Sequence, residues 1–138
     1  VRSTMSDTFT PAARALFATT ALAHVATVDE DGAPYVTPVW FDLEGDEILI
    51  NTALGRVKAR HLANDPRVAI CIADPADPYN VIALRGTVTR FTTEGADADI
   101  DRLAKKYLGH EHFQGRRDDE IRVSVYIRPD RISMQPED

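Results

Sequence analysis

The chain has 138 residues, 43% hydrophobic and 28% charged, with 16 Lys+Arg against 22 Asp+Glu for a formal charge of −6. That length suits one compact domain with a sizeable core, and the composition excludes a disordered polymer. The acidic balance argues against general nucleic-acid binding, which needs a broad basic face, and no apolar run approaches the ~20 residues that cross a bilayer.

The N-terminal stretch VRSTMSDTFTPAARAL lacks an apolar core followed by a small-residue cleavage site, so a cytoplasmic protein is expected. Met5 reads as a natural start, with 1–4 a processing remnant and 1–9 a flexible extension of a single domain over 1–138. Thr10 followed by Pro11 and ARALF predicts a short capped helix. Leu22 to Val28 alternates as a strand, and Asp29 to Gly32 is a turn. Tyr35 to Phe41 (YVTPVWF) is the next strand. Pro38 offers no N–H to a ladder, which places that strand at an edge or gives it a bulge. Asp42 to Asp46 reads as a turn and Glu47 to Thr52 as strand three.

Leu54 to Asn64 reads as a helix stopped by Asp65-Pro66. Arg67 to Ala73 follows as a strand, and the single cysteine, Cys71, reads there as a buried structural thiol. Asp74 to Pro78 is a proline-rich loop. Tyr79 to Phe91 is one long strand with a bulge or bend at Gly86. Thr93 is expected to cap a helix running to Leu108, with Ile100, Leu103, Ala104, Tyr107 and Leu108 on one stripe and Gly109 as its stop. A polar loop covers His110 to Glu120. Ile121 to Ile127 is the last long strand, extended by Arg131 to Met134. Six or more mainly antiparallel strands with α decoration predict a β-rich barrel.

An acidic chain that gathers Arg56, Lys58, Arg60, His61 and Arg67 around one short helix poses a question. At about 100° per residue, Lys58 falls within the Leu54–Val57–Leu62 stripe, while Arg56 and Arg60 fall on the far side. The bases therefore do not form one solvated face. A helix N-terminus with Arg56 and Lys58 in its first turn, and Asn51 and Thr52 nearby, makes a cradle for a phosphate or carboxylate. The plainer alternative, solvated arginines and a lysine snorkelling along apolar surface, stays open on this stretch alone. There is no GxGxxG, P-loop, GxSxG or HExxH motif. His110 and His112 without a third ligand do not make a metal set.

The segment ATVDEDGAPYVTPVWFDLEGDEILINTALGRVKARHLANDPRVAI resembles the pyridoxamine 5′-phosphate oxidase-like, flavin/deazaflavin split-barrel superfamily. The resemblance continues through Arg85-Gly86, TEGAD, KKYLG and the final RPDRI, and so covers nearly the whole chain. Within the superfamily it is most similar to the actinobacterial type that uses coenzyme F420, a deazaflavin. The resemblance implies a split β-barrel homodimer with cofactor sites at the subunit interface. It implies an oxidoreductase that moves a hydride between reduced F420 and a small-molecule acceptor. Carried over by motif, Lys58, with Arg56, would hold the cofactor phosphate, Val57 between them would be a further cofactor-binding residue, and Asn51 and Thr52 would line the same pocket. Thr37, Pro38, Val39 and Trp40 would run beside the ring, and Tyr79 and Asn80 would close the site from the second subunit. Arg60 and Arg14 are candidates for the anionic tail. An FMN-binding oxidase or reductase, or a non-catalytic carrier of a flavin, deazaflavin or tetrapyrrole, are the alternatives.

Overall fold

The computed structural model describes residues 5–6 and 8–134. Its elements in chain order are β1 (Met5–Ser6), α1 (Pro11–Phe17), β2 (Ala23–Val28), β3 (Pro34–Val39), β4 (Asp42–Glu44) and β5 (Glu47–Ala53). Then come α2 (Val57–Asn64), β6 (Arg67–Asp74), β7 (Asp77–Thr92), α3 (Ala96–Leu108) and β8 (Arg122–Met134). All strand pairs are antiparallel, in one eight-stranded sheet of order β3-β2-β6-β7-β8-β5-β4, with β1 added to β8. The two end strands, β3 and β4, do not pair, so the barrel is open. This is the split, mainly β fold with helical decoration that the resemblance implies.

Alternation builds the core. Val68, Ile70 and Ile72 of β6 point inward with Val25 of β2, Ile48 and Ile50 of β5, Ile82 and Leu84 of β7, and Val123, Val125 and Ile127 of β8. One end is plugged by α1, where Phe17 meets Phe9 and Phe41 edge-to-face at 4.9 and 5.3 Å. Thr10 caps α1 by accepting from the Ala13 N–H at 3.1 Å. On the long β7, Gly86 marks the expected bend, with a register shift between Arg85 and Gly86. A Cβ there would stand 2.7 Å from Ile127 Cγ2 and 2.8 Å from the Arg128 carbonyl, so only glycine lets β7 approach β8 so closely.

Several expectations need correction. Cys71 is exposed and not the buried thiol its apolar neighbours suggest, because the alternation that turns Ile70 and Ile72 inward turns Cys71 out. Asp42–Glu44 is a strand, and the turn is confined to Gly45-Asp46. Asp74 pairs directly with Asp77, so the proline loop is a tight hairpin. Helix α3 begins at Ala96 after Gly95, whose φ of +75° supplies the turn; the Thr93 side chain does not cap it. Leu108 is exposed, outside the buried stripe of Ile100, Leu103 and Ala104. Within the expected extension over 1–9, Met5–Ser6 pair with β8 and Phe9 is buried in the core. Residues 1–4 lie outside the described residues.

Candidate functional site

The basic helix starts later than its pattern suggested. Gly55, at φ +89°, turns the chain after β5, Arg56 is the N-cap, and Val57 is the first helical residue. Leu54 is therefore an exposed turn residue and not part of the apolar stripe, which rests on Ala59 and Leu62. Lys58 sits in the first turn, and no side chain caps the N–H groups there.

Lys58 is half-buried and reaches β3, donating from Nζ to Thr37 Oγ1 at 2.6 Å. Among the described residues no carboxylate pairs with it, in a chain where acids outnumber bases. Burial first, and then the neighbouring Arg56 charge, hold its pKa below the ordinary lysine range. Among the described residues no carboxylate answers Lys58 itself, while the neighbouring Arg56 is paired with Glu120 at 3.0 Å.

Beside this corner lies a cleft of about 330 Å³ lined by Leu22, Pro38, Val39, Trp40, Asn51 and Arg56. Ile100, Leu103, Phe113 and Arg122 complete its wall. Edge strand β3 supplies Pro38 and Val39, and Trp40 follows directly after its end. Its pairing with β2 runs unbroken through His24 opposite Pro38, so the proline sits on an edge and not in a bulge. Five residues expected at the site (Pro38, Val39, Trp40, Asn51 and Arg56) thus line one cleft, and Thr37 and Lys58 touch beside it.

The other expected residues stand elsewhere. Thr52 is buried and, next to Asn51 on β5, faces the opposite side of the strand. Val57 is half-buried at the start of α2. Tyr79, 78% exposed, and Asn80, which donates to Asp74 at 3.2 Å, belong to the β6–β7 hairpin and do not line this cleft. Arg14 pairs with Asp46 at 2.6 Å, and Arg60 donates to the Gly55 carbonyl at 3.0 Å.

Sequence reasoning missed a network that organises the cleft. Buried Arg122 donates to Asn51 Oδ1 at 2.8 Å and to Glu120 Oε1 at 2.8 Å, and the other oxygen of Glu120 accepts from Arg56 at 3.0 Å. Burial works to raise the Glu120 carboxyl, but the bonds and charges of Arg122 and Arg56 outweigh it and hold it below the usual range. Asn51 is also committed, donating to the Ala96 carbonyl at 2.9 Å. Its part is therefore to hold Arg122. The only sequence signal was a pair of opposite charges, Glu120 and Arg122, flanking the start of an apolar strand.

Two larger hollows, about 510 and 760 Å³, lie on the outer face of β2, β6, β7 and β8. They contain none of the expected site residues. Small groups pave this face, among them Ala26, Ala69, Cys71 and Ala83, with Arg85 and Arg131 directly opposite each other on β7 and β8.

Comparisons with known proteins bear on the family and the fold. The family described as Pyridoxamine 5'-phosphate oxidase matches residues 9–135. A solved structure named F420 Reductase is 29% identical, with a TM-score of 0.79 over 88% of this chain and 96% of that one. HupZ of Group A Streptococcus is 26% identical, with a TM-score of 0.66 over 93% of this chain and 95% of that one. The conserved hypothetical protein Rv2991 of Mycobacterium tuberculosis shares the fold at 21% identity, with a TM-score of 0.68 over 94% of this chain and 88% of that one. No curated protein matches the chain.

Proposed function

The chain belongs to the pyridoxamine 5′-phosphate oxidase family, and from that premise we propose that it is an oxidoreductase transferring a hydride between reduced coenzyme F420 and a small organic acceptor. One observation carries the cofactor site: Lys58 is half-buried beside Arg56 at an uncapped helix start, with Thr37 as its hydrogen-bond partner and no carboxylate against it. Such a corner suits a phosphate, which gains charge-assisted bonds and the helix-end N–H groups together. The choice of a deazaflavin over FMN rests on the similarity to the structure named F420 Reductase.

In this reading the residues divide the work. Lys58, Arg56 and the first turn of α2 bind the phosphate. Pro38 and Val39 on the edge strand and Trp40 just after it provide a flat wall for the ring, and Leu22, Ile100 and Leu103 give the cleft an apolar lining that excludes water. Glu120, anchored by Arg122, holds Arg56 at the cleft. The bound deazaflavin supplies the hydride chemistry, and the protein supplies binding, orientation and electrostatics.

We assign the outer face of small residues to a second copy of the chain, with Tyr79 and Asn80 of the partner subunit closing the cleft. Sedimentation of the purified protein tests the assembly: a dimer supports it, and a monomer at high concentration contradicts it. Turnover tests the activity. Reduced F420 should be oxidised when the protein and quinone or unsaturated-ring acceptors are mixed. Tight binding without oxidation by any acceptor would instead make the protein a carrier.

A further inference from the structure

The aromatic wall of the cleft is built from behind. Trp40 stacks on Tyr107 of α3, with ring centroids 5.5 Å apart and planes within 8°. The Phe113 ring meets the indole edge-on at 6.1 Å, and the Arg122 guanidinium lies over Phe113 at 5.3 Å. The Tyr107 hydroxyl donates to the Ala21 carbonyl at 2.7 Å and accepts from the Phe41 N–H at 3.2 Å. That N–H belongs to the peptide joining Trp40 to Phe41. Tyr107 therefore grips Trp40 twice, by its side chain through stacking and by its main chain through a hydrogen bond.

The post itself is fixed. Next to it on α3, Lys106 donates to the Phe17 carbonyl at 2.7 Å and the Phe41 carbonyl at 2.8 Å, tying the helix end to α1 and to the segment between β3 and β4 that carries Trp40. Burial pushes the Tyr107 hydroxyl up to about 12, so it stays protonated and able to donate at any physiological pH. Trp40 follows the last residue of β3, beyond the register paired with β2, and its indole is held against the Tyr107 ring.

We propose that Tyr107 is a positioning residue of the cofactor site, fixing the Trp40 indole as the wall against which a planar ring binds. The inference rests on the proposed function and goes beyond it, since Tyr107 lines no part of the cleft. A site held by packed residues behind its contact groups keeps its geometry, and a loosened wall loses affinity and alignment.

Trp40 is the single tryptophan of the chain, so its fluorescence reports on this wall alone. Tyr107→Leu removes both grips, and Tyr107→Phe removes only the hydroxyl. The cofactor-free Leu variant should show lower Trp40 anisotropy and red-shifted emission, and should bind F420 about three- to ten-fold more weakly, the span of one aromatic pair. The Phe variant should recover most of both signals. Ile48→Val, a core change on β5 that lines neither the cleft nor the outer face, serves as control: it should lower the unfolding midpoint without moving Trp40 anisotropy or affinity. If Tyr107→Leu binds as tightly as the wild type, or if Ile48→Val weakens binding equally, the positioning role is wrong. A wild-type protein that binds neither F420 nor FMN overturns the proposed function, and this inference with it.

Discussion

Replacing Lys58 by alanine separates binding from folding more cleanly than any other change at the site. Lys58 has one partner, the Thr37 hydroxyl at 2.6 Å, and among the described residues it answers no carboxylate. Removing it leaves no buried acid uncompensated. It also relieves the burial of an ammonium group and its repulsion from Arg56, the two causes that lower its pKa. Stability should therefore hold or rise slightly. A lost charge-assisted phosphate contact costs ~1.5–3 kcal/mol. At 1.4 kcal/mol per factor of ten, affinity should fall about ten- to a hundred-fold. Titration of Lys58→Ala with F420, read by Trp40 quenching, measures the first quantity, and urea unfolding measures the second. Unchanged affinity would place the phosphate elsewhere. A large loss of stability would show that Lys58 is a packing residue.

Three further outcomes follow from the same geometry. Because the pKa of Lys58 is lowered in the cofactor-free protein and an anion would raise it, binding above the lowered value must take up a proton. Affinity should then be full below that value and fall as pH rises through it, before an ordinary lysine would titrate; Lys58→Arg should abolish the fall, and a flat wild-type profile would exclude the linkage. The Arg56 side chain is 59% exposed, so Arg56→Ala should cost less affinity than Lys58→Ala, and the cost should shrink in salt; a salt-independent loss larger than that of Lys58→Ala would contradict this ranking. Gly86→Ala should destabilise by ~1–3 kcal/mol through overpacking against Ile127 and the Arg128 backbone, and an unshifted urea midpoint would refute the close approach of β7 to β8.

What could be read from the chain was local. Alternation located the long strands, and Pro38 marked an edge because a missing N–H has the same meaning in any context. The wheel put Lys58 on the packed side of α2, where its Nζ reaches β3. The errors have local causes too. Leu54 fits the apolar stripe by spacing, but Gly55, with its positive φ, keeps it in the turn before the helix. Cys71 has buried neighbours, and strand alternation alone turns it outward.

The Arg56–Glu120–Arg122–Asn51 chain is a different matter. Glu120 stands 64 residues from Arg56, and Arg122 stands 71 from Asn51. No periodicity carries pairs so far apart; they meet because β5 and β8 are neighbours in the sheet. Tyr107 fits the helix stripe by spacing, and nothing in that pattern tells that its ring stacks on Trp40. Resemblance supplied what spacing did not, namely which cofactor a basic corner beside an edge strand would hold.

Parallel titration of the protein with F420 and FMN, followed by visible absorbance and Trp40 fluorescence, tests the central claim most directly. F420 should bind saturably and quench Trp40, with FMN binding more weakly at the same Lys58 corner. Tight FMN binding with no response to F420 would contradict the account.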